Sequence, residues 1–142
     1  MTHSPAEVIA RLLQDTGIGT DPSDNGEWPI YTDSSPNTPD NLIAIQDGGG
    51  RLQGRSMITG EKYEQKGITV LVRGATSPQS FTKAMAVSGE LASLALSTLV
   101  VGASTYRITK IVLIGSVFAM GKMRDSSRWI HRLEAQTYIT EL

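Results

Sequence analysis

The sequence predicts an α+β domain in which two helices pack on one face of a twisted, mostly antiparallel sheet. Two segments, one near the N-terminus and one in the middle of the chain, carry apolar residues at helical spacing. Two long segments near the C-terminus alternate between apolar and polar residues, which is typical of an antiparallel sheet with one covered face. The length of 142 residues suits one hydrophobic core, so we expect a single domain over 1–142.

The first helix is predicted from about Pro5 to Thr16. Ser4 can accept from a free amide of the first turn, Pro5 suits the first helical position, and Glu7 completes a capping box. Gly17 suits the end of the helix. One apolar stripe follows the capping residues and consists of Val8, Ile9, Leu12 and Leu13.

Three strands are predicted next, at Trp28–Tyr31, Leu42–Gln46 and Gly67–Arg73. The third is the clearest, because it is rich in β-branched residues and bounded by glycines. Between the last two lies Asp47–Lys66, which is far longer than an ordinary hairpin loop of about two to five residues. We therefore expect it to form a long arm.

The second helix is predicted from Ser77-Pro78 to Gly102. Gly89 lies inside it, and we expect the helix to approach the sheet closely there. The predicted apolar face consists of Phe81, Ala84, Met85, Ser88, Leu91, Ala92, Ala95 and Leu99.

Tyr106–Phe118 and Arg128–Thr140 are predicted to be the two final strands. In the first strand, Tyr106, Ile108, Val112 and Ile114 are expected to share a face, which Lys110 interrupts. In the second strand, alternation predicts a polar outer face suited to a wet contact, a channel or simply solvent. That face consists of Arg132, Glu134, Gln136 and Tyr138.

Composition excludes several classes of protein. A net charge of −1 gives no general attraction to DNA or to an anionic membrane. The chain has no cysteine, so disulfides, thiolate nucleophiles and cysteine zinc sites are excluded. Its start lacks the pattern of a signal peptide, and its apolar runs are too short for a membrane span. We expect a soluble protein with no membrane partner.

Two short motifs suggest ligands but do not fit them. In "QDGGGRLQGR" (46–55) the glycines could cradle a phosphate, yet a P-loop needs Gly-Lys-Ser/Thr at the start of a helix, and Arg55 follows the last glycine. "DPSDNGEW" (21–28) begins like a calcium-binding EF-hand loop. Pro29 at the ninth position and Thr32 at the twelfth do not fit that loop. A solvated turn is the favoured interpretation.

No catalytic set emerges from the remaining polar residues. His3 is expected in a frayed terminus, and no motif places a serine or a carboxylate beside His131. No acidic pair has the spacing of a glycosidase or a two-metal site. We therefore predict that the chain is not an enzyme and has no catalytic residue, metal site or cofactor.

The arm has the composition of an interface rather than of a solvated loop, although a flexible surface loop is the alternative. Its charges alternate in sign, and it mixes Met and Tyr with Arg, as interfaces do. The predicted contact residues are Arg51, Leu52, Arg55, Met57, Ile58 and Tyr63.

Four stretches of the sequence resemble the small phage proteins described as minor capsid or tail-completion proteins, and among them the tail terminators of long-tailed phages. They are "SPAEVIARLLQDTGIGT", "IAIQDGGG", "GITVLVRGATSPQSFTKAM" and "GKMRDSSRWIHRLEAQTYI", which together span nearly the whole chain. In that family a short N-terminal helix precedes a strand ending in an acid and glycines. A variable arm and a strand ending in Val-Arg-Gly then lead into the long helix.

The resemblance implies a hexameric ring of this chain that caps the tail tube, stops its polymerisation and joins tail to head. The implied partners are further copies of the chain, the tail tube protein and the head–tail connector protein. The location is the tail or neck of the virion after synthesis in the host cytoplasm. DNA would pass through the lumen, and the basic residues suggested to face it are Lys110, Lys122, Arg124 and Arg128. The alternatives are a head-completion or connector protein of the neck and a small anion- or nucleotide-binding module.

Overall fold

The computed structural model describes residues 2–24, 26–32, 36, 39–55, 62–93, 96–122 and 128–142, with the backbone alone for 49–55 and 62–65. The described residues form two α-helices, a short 3₁₀ helix at Pro22–Asp24 and six strands. The helices are α1 (Pro5–Asp15) and α2 (Ser77–Ser93). The strands are β1 (Ile30–Tyr31), β2 (Leu42–Arg55), β3 (Lys62–Gly74), β4 (Ser97–Val101), β5 (Ser104–Lys122) and β6 (Trp129–Glu141).

The strands form one sheet in the order β1-β2-β3-β6-β5-β4, in which β1 and β2 are parallel and every other pair is antiparallel. α1 packs against β1 to β4, and α2 packs against β3, β5 and β6. Both helices bury their apolar sides in one hydrophobic core. The predicted α+β class is therefore confirmed. Core-facing strand residues include Ile43, Ile45, Ile68, Val70, Val72, Leu133, Ala135 and Ile139.

The start of α1 is held as its sequence predicts. Ser4 Oγ accepts from the Glu7 amide at 3.3 Å, and the Glu7 carboxylate accepts from the Ser4 amide at 2.7 Å. A second acid, from β2, also caps this helix, because Asp47 Oδ1 accepts from the Ala6 amide at 2.9 Å. A carboxylate at this end is favoured by the helix dipole. The acid before the three glycines thus ties β2 to α1.

The predicted arm is mostly a β-hairpin instead of a loop. β2 and β3 pair from Leu42–Arg73 to Arg55–Lys62, with register shifts between Asp47 and Gly50 and between Leu52 and Gly54. At the first shift a side chain on Gly48 would lie 3.3 Å from the carbonyl of Gly67. The sequence did not predict these strands because glycines and charged residues are weak strand formers.

Strand β5 contains a bulge that reverses part of its predicted pattern. Ile108 pairs with Ile139 and Lys110 with Tyr138, so Thr109 is an extra residue in β5. Tyr106 and Ile108 are buried as predicted, but Val112 and Ile114 lie on the outer face of the sheet. The expectation that all four share a face is wrong, because one inserted residue exchanges the two faces of everything after it.

The second helix is shorter than predicted, and its buried side is different. It ends at Ser93, and β4 follows within the predicted helical segment. The buried residues of α2 are Ser80, Ala84, Val87 and Leu91, which leaves Phe81 and Met85 about half exposed. Outside α2 itself, no atom of the described residues lies within 4 Å of the position that a Gly89 side chain would take, so the expected close approach to the sheet is also wrong.

Candidate assembly surface

Strand β5 has a long edge with no strand beside it in the described part of the chain. β4 pairs only with Ser104–Ile108, whereas β6 pairs with β5 as far as Lys122. The other side of Lys110–Lys122 therefore presents backbone N–H and C=O groups without a neighbouring strand. Such an edge is a template for pairing with another chain.

Exposed apolar side chains lie on both sides of this edge. Val112, Ile114 and Phe118 belong to β5 and lie on the outer face of the sheet. Phe81 and Met85 belong to α2, on the opposite side of the helix from Lys83, whose ammonium group lies 5.4 Å from the Trp28 ring centre. Trp28 precedes β1, which lies at the opposite end of the sheet from β5. The side of α2 that carries Phe81 and Met85 therefore faces β5. With Met120, these side chains are between 39% and 54% exposed.

We call this region the β5 edge surface: Phe81 and Met85 of α2 and Val112, Ile114, Phe118 and Met120 of β5. Single exposed apolar residues are ordinary, but a group of them marks a contact site. Two further register shifts, between Ile114 and Phe118 and between Ala119 and Gly121, bend the strand. Gly115 has φ 71° at the first of them, a conformation that favours glycine.

The outer face of β6 is polar, as the alternation predicts. Its four predicted residues are partly exposed, whereas Leu133, Ala135 and Ile139 are buried. Arg132 forms an ion pair with Glu134, and its guanidinium lies 5.9 Å from the Phe118 ring centre. This face therefore continues into the β5 edge surface.

The four predicted basic residues have different environments. Lys110 is exposed on the outer face, with Nζ 5.3 Å from the Tyr138 ring centre, and Lys122 is exposed at the end of β5. Arg124 lies outside the described residues. Arg128 is not exposed as suggested: it is 9% exposed, and its Nη1 lies 3.7 Å from Asp40 Oδ1. Arg128 therefore contacts its own subunit, and we do not propose it for the lumen.

Four of the six predicted contact residues lie on the hairpin. Arg51, Leu52 and Arg55 are in β2 and Tyr63 is in β3, where the backbone alone is described. Met57 and Ile58 lie outside the described residues. The contacts of all six side chains remain predictions.

Both histidines make hydrogen bonds to other parts of the fold. His3 is not frayed: its amide donates to the Tyr106 hydroxyl at 2.9 Å, and its Nδ1 lies 2.7 Å from the same oxygen. The His131 Nδ1 lies 2.7 Å from Ser80 Oγ, which no sequence motif indicated. The Ser80 hydroxyl donates to the Val72 carbonyl, so its oxygen accepts from the Nδ1–H of His131. Both side chains are buried, which explains this serine–histidine pair as packing.

Unfolding should depend on pH through His131. Burial lowers the pKa of His131 below its ordinary value of about 6.5, so the ring stays neutral to a lower pH in the folded chain than in the unfolded chain. Stability from this group is complete above pH 6.5 and decreases as the pH falls through the folded pKa, because only the unfolded chain takes up the proton readily. We expect His131→Gln to flatten the decrease in urea-unfolding stability between pH 7 and 5.5. Equal slopes for the two proteins would contradict this.

One buried residue that was not predicted from the sequence, Arg73, holds the chain before β2. Arg73, at the end of β3, donates from Nη2 to the carbonyls of Pro36 (2.7 Å) and Pro39 and from Nε to the carbonyl of Asp40 (3.2 Å). It is 4% exposed. The Val-Arg-Gly at the end of the strand was the available signal. This arginine therefore supports the fold by holding the chain before β2.

Neither ligand motif is supported by its local geometry. Asp21 Oδ1 accepts hydrogen bonds from the amide and the hydroxyl of Ser23. The hydrogen bond from the amide is the main cause of the lowered pKa of Asp21. This is a local turn, as the favoured interpretation predicted. Within the described ranges, no group of three or more histidine, aspartate and glutamate side chains could hold a metal ion. No helix among them has the length and apolar character that a membrane crossing requires.

A groove of about 1000 Å³ lies away from the glycine-rich segment. It is bounded by α2 and by the loops on either side of β1, and its lining includes Trp28, Asn41 and Lys83. Burial lowers the pKa of Lys83. No residue of the glycine-rich segment is among the described lining residues, so the groove does not support that segment as an anion site.

Residues 12–141 match a family model described as "Bacteriophage tail terminator protein". The chain belongs to this family. Tail terminators are structural phage proteins, so it is a structural tail protein and a component of the virion. Among solved structures, the chain is similar to one from "Virion of native gene transfer agent (GTA) particle", with 16% identity, 78% of each chain covered and a TM-score of 0.43. No curated protein matches the chain.

Proposed function

We propose that this protein forms a hexameric ring that caps the phage tail tube, stops its polymerisation and joins the tail to the head. Membership of the tail terminator family supports this function. The observation that carries it is the β5 edge surface, where a free strand edge lies beside exposed apolar side chains. Pairing of this surface with a different surface of the next copy gives a heterologous interface, which forms a ring when the rotation between copies closes.

The hairpin of β2 and β3 is the second proposed contact between copies. It includes the positions of Arg51, Leu52, Arg55 and Tyr63, and Met57 and Ile58 lie between its strands in sequence. Each hairpin would reach the neighbouring copy and bury its apolar residues there. Further partners are the tail tube protein and the head–tail connector protein.

The lumen of the ring would admit DNA. Lys110 and Lys122 are exposed on β5, and Lys110 belongs to the polar outer face. Arg124 follows in sequence. These cations would attract phosphates without reading base sequence. The assembled protein lies in the tail or neck of the virion, and the subunit is made in the host cytoplasm.

Shortening the hairpin tests this function. Leu52 and Glu64 are paired in register, so replacing 53–63 with Asn-Gly closes the strands with a two-residue turn. Every pair between β3 and β6 is kept. We expect a folded subunit that associates at least tenfold more weakly and fails to complete tails. Circular dichroism, sedimentation and electron microscopy of tails measure these results.

The outcome also separates the alternatives. Unchanged rings and completed tails from the shortened protein would contradict the role of the hairpin. The full-length protein should limit the length of tubes when it is added to polymerising tube protein. Binding to the head connector with no effect on tube length would favour the neck protein instead.

A further inference from the structure

The sheet has a second free edge, on β2, at its opposite end from β5. β1 pairs only with Ile43 and Ala44, so the described chain places no strand beside the outer side of Gln46–Arg55. In the same way, β4 covers only the beginning of β5. At each end of the described sheet, a short strand (β1 or β4) pairs with the beginning of a long strand (β2 or β5). The rest of each long strand has a free edge.

The directions of the two strands are compatible with pairing between copies. Three antiparallel steps separate them, from β2 to β3, to β6 and to β5, so β2 and β5 run in opposite directions. If a second copy continues the sheet with its helices on the same side, its β2 meets β5 in antiparallel orientation. Pairing of the two free parts shifts each copy along the strands, as stagger does around a closed barrel.

We infer that the β5 edge surface receives the free edge of β2 from a second copy of this chain, which adds its hairpin as a further strand of the sheet. This inference rests on the proposed ring and names the surfaces that form it. The contact is heterologous, because a β2 edge meets a β5 edge, and its repetition leaves neither edge free in a closed ring.

The composition of β2 favours this occupant. Four of its residues, Gly48, Gly49, Gly50 and Gly54, have no side chain beyond hydrogen. Glycine inside a strand often marks a place where another backbone approaches closely. At the receiving edge, Ile114 and Phe118 project from the outer face, whereas Met85 lies on the helix side. A glycine-rich strand fits between the large side chains on the two faces of the sheet, and it covers apolar surface on both faces.

Cross-linking tests the pairing directly, because the chain has no native cysteine. Gln46 is exposed on β2, and Phe118 and Met120 are exposed near the end of β5. Because the two strands run antiparallel, pairing of their free parts brings Gln46, at the beginning of the free part of β2, close to the end of β5. We expect oxidation of Gln46→Cys combined with Phe118→Cys or with Met120→Cys to give a ladder of covalent oligomers. Each single variant should give no ladder.

A charge substitution provides the second measurement. Ile114→Lys should weaken association of the full chain at least tenfold by sedimentation and reduce ring formation on tail tubes. Val100→Lys is the matched control, because Val100 is an exposed apolar residue of β4 outside this surface, and it should leave both unchanged.

The outcomes distinguish the pairing from the proposed function. If the unmodified protein forms rings on tubes but Ile114→Lys has no effect and no cysteine pair cross-links, the pairing is overturned and the ring remains. If the unmodified protein forms no ring on tail tubes, the proposed function fails, and the pairing fails with it.

Discussion

Replacing Gly74 with alanine is expected to lower the free energy of unfolding by about 1–3 kcal/mol, through overpacking. Gly74 ends β3 where α2 begins, and an added Cβ would lie 2.8 Å from the backbone nitrogen of Ser80 and 3.0 Å from its Cα. These are backbone atoms, so the first turn of α2 must move. The movement disturbs the hydrogen bond that Ser80 donates to Val72 and the one that it accepts from His131. Urea unfolding followed by circular dichroism measures the loss.

Gly89→Ala is the matched control, with an expected effect of opposite sign. Gly89 is exposed in α2, and an added Cβ would meet no atom within 4 Å among the described residues outside its own helix. Alanine is favoured over glycine inside a helix, so we expect a gain of about 0.5–1 kcal/mol. A Gly74→Ala variant as stable as the unmodified protein would show that α2 is not held closely against the end of β3.

Arg73→Ala is expected to cost about 3 kcal/mol, because hydrogen bonds to a charged group contribute about 1.5–3 kcal/mol and removing their donor leaves polar groups unsatisfied. The guanidinium donates to three carbonyls of the loop before β2. Arg73→Lys keeps the charge but loses the forked donors, so we expect an intermediate loss. Chemical unfolding of both variants gives the comparison.

Arg11→Ala is the control for Arg73. Arg11 Nε lies 3.2 Å from Asp15 Oδ1 on α1, and both side chains are about half exposed. Surface pairs of this kind contribute about 0.3–0.5 kcal/mol. Equal losses for Arg73→Ala and Arg11→Ala would contradict a structural role for the buried arginine.

The elements that sequence predicted well are those whose signals are local. The capping box of α1 needs only Ser4 and Glu7, and the structure has both of its hydrogen bonds. The alternation of β6 depends on side chains that are two residues apart, and its buried and polar faces match. A family resemblance over most of the chain also identified the function class before any contact was known.

The elements that sequence predicted poorly depend on neighbours distant in the chain. Nothing in the residues around Thr109 indicates that β6 has no partner residue for it. Val112 and Ile114 were therefore predicted on the wrong face of the sheet. The segment from Ser93 to Val101 has apolar and small residues that suit helix or strand, and pairing with β5 decides for the strand. The glycine-rich part of β2 has no strand pattern in its sequence, and it forms a strand because its backbone pairs with β3.

The candidate site shows the same division. Its polar outer face followed from alternation along one strand. The β5 edge surface did not, because it depends on the position of the bulge and on where β4 stops. Asp47 and Arg73 lie in stretches on which the resemblance rests. Their hydrogen-bond partners are more than 30 residues away in the sequence: Ala6 for Asp47, and Pro36, Pro39 and Asp40 for Arg73.

The hydrogen bond from Ala6 to Asp47 gives the subunit a thermodynamic link between its first helix and its hairpin. Asp47 lies at the first bulge of β2, so the base of the hairpin and the start of α1 share one polar contact. Coupling between two parts of a protein is reciprocal. An interaction that orders the hairpin therefore also stabilises the start of α1. Loosening of the helix destabilises the hairpin by the same coupling free energy.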